Sequence, residues 1–122
     1  MLRCLETLRI AAPAIPFEID DALREVHFGE WEGKTLEWLE RNDPDGLAER
    51  RREPVAFRPP GGESFTDVEP RLRELAERIG GERLLVIGHR GTLGVLERVL
   101  RGLPLDSPLV APLETAELRL LD

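Results

Sequence analysis

The sequence predicts an α/β domain with a mostly parallel sheet, and three observations lead to this class. Helix-like and strand-like segments follow one another in the order helix, strand, helices, strand, helix, strand. The apolar run Leu-Leu-Val-Ile at 84–87 has the composition of a strand that is covered on both faces. The 122 residues are enough for one domain with its own core.

The first predicted element is an amphipathic helix over residues 2–12. No capping residue or entry turn precedes it, which leaves two interpretations: a frayed N-terminal helix, or a chain that begins inside an element. Pro13 and Pro16 end the helix, and residues 17–19 follow as a short strand candidate. The predicted inner residues of the helix are Leu2, Leu5, Leu8 and Ala12.

The middle of the chain predicts a loop and two short helices. Residues 23–33 show neither helical nor strand periodicity and contain two glycines, so we expect a loop. Thr35 caps a predicted helix that runs to about Arg41, and a second helix covers about 46–52. The predicted inner residues of the first of these helices are Leu36, Trp38 and Leu39.

A longer helix is predicted before the apolar strand. Ser64 and Asp67 have the spacing of a capping box. Pro70 would be costly well inside a helix that begins at Ser64, and it is harmless if Asp67 is the cap. The predicted inner residues of this helix are Leu72, Leu75, Ala76 and Ile79.

The last third of the chain predicts strand, turn, helix and strand. The turn at 88–91 leaves the apolar strand, and Thr92 opens the next helix. Residues 116–121 alternate like a closing strand with one polar face. The predicted inner residues of the helix are Leu93, Leu96, Val99 and Leu100.

Charge and composition limit the classes of partner. The net charge of −7 argues against nucleic acid, which requires a broad basic surface, but a few cations and a helix N-terminus suffice for a small phosphorylated ligand. No apolar run reaches the ~18–20 residues of a membrane helix, and no stretch has a signal-peptide layout. The single cysteine, Cys4, cannot form an internal disulfide. Together these features predict a cytoplasmic protein without a membrane partner.

His89 is the first candidate for chemistry, because it follows the strand at 84–87 and precedes a helix. Ligands of α/β sheets bind at the carboxyl ends of strands, and the free amides of the next helix favour an anion there. A histidine at that position can donate a hydrogen bond to a phosphoryl oxygen. The alternative is a histidine that only fills a strand-end position.

Three further residues are weaker candidates. Glu25 lies in the loop among apolar residues, where partial desolvation would suit it to general acid catalysis, although most loop carboxylates are merely solvated. Arg3 lies one turn into the first helix, where an arginine is usually a solvated surface residue without a role in function. Cys4 has no base partner that the sequence reveals, so we expect it to belong to the core.

Four segments, in this order and spacing, resemble the histidine phosphatase superfamily, whose members are phosphoglycerate-mutase-like. Each is weak alone, but together they span nearly the whole chain. They are Leu-Arg-Cys-Leu-Glu-Thr at 2–7, Leu-Arg-Glu-Val-His-Phe-Gly-Glu-Trp-Glu-Gly at 23–33, Pro-Gly-Gly-Glu-Ser at 60–64 and Val-Ile-Gly-His-Arg-Gly at 86–91.

The resemblance implies a three-layer α/β fold and a phosphatase that uses neither metal nor other cofactor. In the family, a histidine of an Arg-His-Gly motif attacks the phosphoryl group, and water then hydrolyses the phosphohistidine. By motif match, Arg3 would clamp the phosphate, Glu25 would protonate the leaving oxygen and His89 would stabilise the transferring phosphoryl group. The backbone amide of Arg90 would also face the phosphate, although many members have glycine at that position.

The sequence departs from the family at the nucleophile. No Arg-His-Gly occurs, and the two histidines, His27 and His89, already belong to other motifs. We therefore expect residues 1–122 to be a single domain, N-terminally truncated, that lacks the family's first strand and helix. Without that strand the sheet would have a gap, and the chain alone would be inactive.

Three hypotheses follow. The chain is most of a phosphomonoesterase that acts on a small phosphorylated substrate. Alternatively, it is a short form that binds phosphate or a partner without turnover, as a homo-oligomer that covers the open sheet. The third hypothesis is completion in trans by another polypeptide. The short intervening loops favour a phosphatase over a mutase, and the sequence does not name the substrate.

Overall fold

Five α-helices make up most of the regular structure in the residues that this computed structural model describes, namely 2–107, 114 and 117–121. Two short 3₁₀-helices, Asp21–Leu23 and Gly29–Trp31, lie in the segment between the first two α-helices. The α-helices are α1 (Leu2–Ala11), α2 (Leu36–Asn42), α3 (Pro44–Arg52), α4 (Phe65–Ile79) and α5 (Arg90–Leu100). All five were predicted, with ends that differ by at most three residues. None of these helices is long and apolar enough to cross a membrane.

Side-chain caps fix where the middle helices begin. Thr35 accepts a hydrogen bond from the Trp38 amide at the start of α2, as predicted. Asp43 accepts one from the Gly46 amide at the start of α3. These bonds satisfy amides that have no partner within the helix.

The cap of α4 is Ser64, which confirms the predicted capping box, and the alternative in which Asp67 is the cap is wrong. Ser64 accepts from the Asp67 amide while the Asp67 carboxylate accepts from the Ser64 amide, which is a complete capping box. Pro70 therefore lies inside α4. It removes one helical hydrogen bond, and the capping box and the buried face of the helix offset that loss.

The main core lies where α4 packs against α5. Two predicted inner residues of α4, Leu72 and Leu75, are buried there. From α5 the contributors are Val95 and Leu96, whereas Leu100 is exposed, contrary to the prediction. The buried members of the cluster are Val26, Val68, Leu72, Leu75, Val95 and Leu96.

A smaller core forms under α2 and α3. It consists of Trp31, Leu39 and Leu47, and Phe28 packs against both this cluster and the main one. The predicted inner residues Leu36 and Trp38 are exposed instead. The helix α2 is only two turns long, so it buries one residue rather than a full apolar stripe.

The predicted strands are irregular segments that join no sheet in the part of the chain described. Residues 17–19, 84–87 and 117–121 are not helical, and none is in a β-ladder; Ala116, where the last strand was predicted to begin, lies outside the described residues. Leu84 and Leu85 are about half exposed, so the expectation of a strand covered on both faces is wrong for the described residues. A ladder requires hydrogen bonds to a neighbouring backbone, and none of that kind is found for these segments within the described residues.

An open trough lies beside two of these segments. It measures about 820 Å³ and is lined by residues of α1 and by the extended segments 15–19 and 82–87. The helix α1 contributes Cys4, Leu5 and Leu8, and it buries none of its own residues. His89 also lines this trough, so the candidate site opens into it.

Candidate functional site

The structure brings Glu25 and His89 together, although they lie in different parts of the sequence. Oε2 of Glu25 is 3.8 Å from Nδ1 of His89. The histidine side chain is 11% exposed and the glutamate side chain 32% exposed. A carboxylate and an imidazole therefore lie side by side, a pairing that is compatible with proton transfer to a bound substrate.

His89 is held by its position at the start of α5. Its backbone is extended, and its carbonyl accepts from the Leu93 amide at 2.8 Å, which makes it the N-cap residue. Its side chain makes no capping bond to the helix. The amides of the first turn of α5 are therefore left without a side-chain cap next to the imidazole, and a helix N-terminus of this kind favours an anion.

The carboxylate of Glu25 is seated against the first turn of α5. Oε1 accepts from the Val26 amide at 3.0 Å and lies 3.2 Å from the hydroxyl of Thr92, a residue with no exposed surface. A Cβ atom on Gly91 would lie 2.9 Å from Oε1, closer than side-chain carbons normally approach. Glycine at position 91 therefore leaves the space that the carboxylate occupies.

The backbone before Glu25 is fixed by two donors. The carbonyl oxygen of Arg24 accepts from Thr92 Oγ1 at 2.9 Å and from Arg71 Nη2 at 2.9 Å. Arg71 Nε also donates to the carbonyl of Ala22 at 3.1 Å. The helices α4 and α5 thus both hold the loop that carries Glu25.

Glu63 is the hub of the surrounding ion pairs, and sequence reasoning missed it. Its carboxylate accepts from the His27 amide at 3.0 Å, from both terminal nitrogens of Arg24 and from Arg71 Nη1 at 2.9 Å. Burial alone would raise the pKa of Glu63, but the amide of His27 and the two guanidinium groups together hold it below its ordinary value. The sequence predicts a turn, a helix cap and a family motif at 60–64, but it does not reveal the partners of Glu63, because Arg24 and His27 are distant in sequence.

The loop at 27–30 and the turn at 59–62 approach each other at their backbones. A Cβ atom on Gly29 would lie 2.1 Å from the carbonyl oxygen of Pro60, and one on Gly62 would lie 2.6 Å from that of His27. Gly29 also has a positive φ of 57°. Only glycine fits at these two positions, so the loop geometry depends on both.

Cys4 is not simply a core residue, and the expectation that it has no basic partner is wrong. Its Sγ atom lies 3.5 Å from Nε2 of His89, and the residue is half-buried on the wall of the trough. The helix α1 turns Cys4 toward the start of α5, a long-range contact that no local pattern shows. The imidazole of His89 therefore has a thiol at one nitrogen and a carboxylate near the other.

The two predicted phosphate-binding arginines are both exposed. Arg3 precedes Cys4 in the first turn of α1, and Arg90 is the first residue of α5. Both therefore belong to helix ends next to His89, and their roles stay predictions. Among the residues described, no group of three or more His, Cys, Asp or Glu side chains is arranged to hold a metal ion.

Comparison with known protein families finds one match that spans the chain. The model of the histidine phosphatase superfamily (branch 1) matches residues 1–122. A curated relative, the glucosyl-3-phosphoglycerate phosphatase of Mycolicibacterium vanbaalenii, is 32% identical over 103 residues, which cover 75% of this chain and 45% of that protein.

Solved structures with this fold also match. A structure described as a putative alpha-ribazole-5'-P phosphatase from Escherichia coli superposes with a TM-score of 0.78 at 25% identity, over 88% of this chain and 56% of the other. The complex of a mycobacterial glucosyl-3-phosphoglycerate phosphatase with inorganic phosphate gives a TM-score of 0.67 at 28% identity, over 83% and 54% of the two chains. The chain spans 28% to 45% of the length of several curated mycobacterial relatives.

Proposed function

The chain belongs to the histidine phosphatase superfamily (branch 1), and on that premise we propose that the site at Glu25 and His89 serves phosphomonoester hydrolysis in a complete family domain. The observation that carries the proposal is the 3.8 Å separation of Glu25 Oε2 and His89 Nδ1 at the start of α5. The proposal assigns the general acid to Glu25 and a hydrogen-bond donor to His89, both beside a helix N-terminus of the kind that favours an anion. The solved relative that contains inorganic phosphate supports the ligand class.

The proposed ligand is a small phosphorylated substrate whose phosphoryl oxygens face the amides of Arg90 and the residues after it. The guanidinium of Arg3 clamps one side of the phosphate, since its forked donors match two phosphoryl oxygens. His89 donates to a third oxygen and stabilises the charge that develops there. Neither a metal nor another cofactor takes part.

The nucleophile is proposed to be a histidine in an Arg-His-Gly segment outside these 122 residues. In the first step a bond forms between its ring nitrogen and phosphorus, the ester P–O bond breaks, and Glu25 gives its proton to the leaving oxygen. In the second step water attacks phosphorus, its proton returns to Glu25, and the P–N bond breaks to release inorganic phosphate. Residues 1–122 are then one domain that lacks the first strand and helix of a three-layer fold with a mostly parallel sheet, and they alone do not turn over substrate.

The cellular setting proposed with this function is the cytoplasm, with no nucleic acid or membrane as partner. The net charge of −7 disfavours a polyanion, while a single phosphate needs only the local cations. The loops between elements are short, so few residues are available to bind the second substrate, the phosphate acceptor that a mutase requires. A phosphatase is therefore proposed rather than a mutase.

The experiment begins with the native protein isolated from its source cells. We expect an intact mass several kilodaltons above 13.8 kDa, an Arg-His-Gly sequence in the additional residues, and hydrolysis of p-nitrophenyl phosphate. In that polypeptide His89→Ala should reduce turnover by roughly 10³-fold, the size expected for a lost transition-state donor, whereas His27→Ala at an exposed position should change it little. Equal turnover by the two variants would refute the role given to His89.

One observation favours a second candidate function, a non-catalytic phosphate-binding module. Neither histidine of the chain lies in Arg-His-Gly. This candidate predicts a native mass equal to the 122 residues, self-association, and phosphate binding without release of p-nitrophenol. The intact mass and the turnover assay therefore separate the two functions.

A further inference from the structure

The first turn of α5 buries the hydroxyl group of Thr92. This residue has no exposed surface, and it does not cap the helix, because the N-cap of α5 is His89. Val95 and Leu96, the next buried residues of the same helix, are apolar. A buried hydroxyl costs free energy unless it is hydrogen-bonded, so its partners indicate what it is there to do.

The hydroxyl of Thr92 has two acceptors within reach and only one proton. Oγ1 lies 2.9 Å from the carbonyl oxygen of Arg24 and 3.2 Å from Oε1 of Glu25. A hydroxyl donates one hydrogen bond at a time, so it must choose between them. An ionised carboxylate is the stronger acceptor because it is charged, whereas a protonated one competes less well with a backbone carbonyl.

Arg71 allows the hydroxyl to change acceptor without leaving the backbone unpaired. Its Nη2 atom donates to the same carbonyl oxygen of Arg24 at 2.9 Å. That carbonyl therefore keeps a charge-assisted bond when the hydroxyl of Thr92 turns to Glu25. Without Arg71, the turn would leave a part-buried carbonyl unsatisfied and would be opposed by that cost.

The two carboxylate oxygens of Glu25 have different surroundings. Oε1 accepts from the Val26 amide at 3.0 Å and lies against Gly91, where a Cβ atom would be only 2.9 Å away. Oε2 faces the imidazole of His89, with 3.8 Å between Oε2 and Nδ1. Oε1 is therefore the anchored oxygen, and Oε2 is the oxygen on the side of the proposed phosphate.

From these contacts we infer that Thr92 is a positioning residue for the general acid, because its hydroxyl bonds the Arg24 carbonyl while Glu25 is protonated and turns to Oε1 when Glu25 releases its proton. As the ester P–O bond breaks, the leaving oxygen takes the proton from Oε2, and the electron pair of that O–H bond stays on the carboxylate. Oε1 shares the resulting charge and accepts from both the Val26 amide and Thr92. The inference rests on the proposed function, since it requires Glu25 to be the acid.

Thr92→Val in the native polypeptide removes the hydroxyl and keeps a branched side chain. We expect kcat for alkyl phosphates to fall about 10- to 100-fold, the size of one lost hydrogen bond to a charged group, with KM little changed. The kcat for p-nitrophenyl phosphate should fall less than about threefold, because its leaving group needs no proton. Thr92→Ser retains the hydroxyl and should restore most of the activity on alkyl phosphates.

The matched control is Thr66→Val, which removes a hydroxyl that lies 3.4 Å from the carbonyl oxygen of Val55, away from Glu25. It should leave the ratio of the two kcat values unchanged. If Thr92→Val does not fold, Thr92→Ser compared with Thr92→Ala isolates the hydroxyl, and the same change in the ratio is expected between those two variants.

A purely structural role for Thr92 predicts a different result. Thr92→Val would then lower the free energy of unfolding and slow both substrates by the same factor, and that outcome would overturn the inference. Glu25→Gln, measured in parallel, separates the inference from the proposed function. If Glu25→Gln lowers the ratio and Thr92→Val does not, only the inference fails; if Glu25→Gln leaves the ratio unchanged, the acid role of Glu25 fails and the inference fails with it.

Discussion

Sγ of Cys4 lies 3.5 Å from Nε2 of His89. The imidazole is thus bounded by a thiol from α1 and, near its other nitrogen, by the carboxylate of Glu25. The contact joins the first helix to the start of α5 across the end of the trough. Any group added to the thiol would enter the space where the proposed phosphate contacts His89.

Alkylation of Cys4 should therefore block phosphate binding. Iodoacetamide adds a carboxamidomethyl group next to the imidazole, and we expect at least about a tenfold loss of affinity for inorganic phosphate by steric exclusion, equivalent to about 1.4 kcal/mol. Isothermal titration of the 122-residue chain before and after treatment measures the loss. Cys4→Ala treated in the same way is the control and should bind as before; an alkylated chain that still binds phosphate normally would contradict the proposed pocket.

Replacement of Glu25 by glutamine tests the general acid. Because a good leaving group needs no proton, Glu25→Gln in the native polypeptide should slow alkyl phosphates by about 10²–10⁴-fold and nitrophenyl phosphate much less. The ratio of kcat/KM for the two substrates is the measurement. Glu30→Gln, an exposed carboxylate of the same loop, should leave the ratio unchanged, and full activity of Glu25→Gln on alkyl phosphates would remove Glu25 from this role.

The ion pairs around Glu63 should make the free energy of unfolding depend on pH. Glu63→Gln should remove that dependence. The pKa of Glu63 is below its ordinary value of 4.5 in the folded protein, so its contribution is present above that value and decreases as the pH falls below it. We expect Glu63→Gln to cost about 1–3 kcal/mol at neutral pH, because it weakens charge-assisted bonds to Arg24, Arg71 and the His27 amide.

Urea unfolding of the 122-residue chain between pH 3 and 7 measures that contribution. The control is Glu77→Gln, an exposed carboxylate of α4. If the two variants lose the same stability at every pH, the hub does not stabilise the fold.

The capping box of α4 predicts a second pH-dependent contribution to stability, and this one is lost at a lower pH than the contribution of Glu63. The pKa of Asp67 falls to about 2 because the Arg58 side chain and the Ser64 amide and hydroxyl all donate to its carboxylate. Its stabilisation is complete above the unfolded value of 3.8 and is lost as the pH falls through 2.

Asp67→Asn should therefore lower the free energy of unfolding by about 1 kcal/mol at neutral pH and by much less near pH 2. Asp45→Asn is the matched control, since Asp45 is also an acid in the first turn of a helix but is exposed. Chemical unfolding monitored by circular dichroism checks both. A loss for Asp67→Asn that is the same at pH 7 and pH 2 would contradict the assignment.

The helices and the caps Thr35 and Ser64 could be predicted from the sequence, because the signals are local. The spacing of Leu72 and Leu75 predicts a buried face of α4, and both residues are buried. The strand at 84–87 could not be verified in the same way, because a strand exists only with a neighbour and its apolar composition does not supply one. Exposure of Leu84 and Leu85 is the physical consequence.

The candidate site was predicted in part. Glu25 and His89 were named from their motifs, and their proximity in space agrees with that prediction without testing their roles. The partners of Glu63 and the contact between Cys4 and His89 were missed, since each joins segments far apart in the chain. Local patterns contain no information on such contacts.

The most direct test of the central claim is a titration of the ¹⁵N-labelled 122-residue chain with inorganic phosphate, followed by NMR. We expect the largest shifts at the amides of Arg90, Gly91 and Thr92 and at the His89 ring. Arg3→Ala should weaken binding about tenfold, whereas Arg9→Ala on the same helix should not. Shifts confined to other surfaces, or an affinity that Arg3→Ala and Arg9→Ala change equally, would contradict a phosphate site at the start of α5.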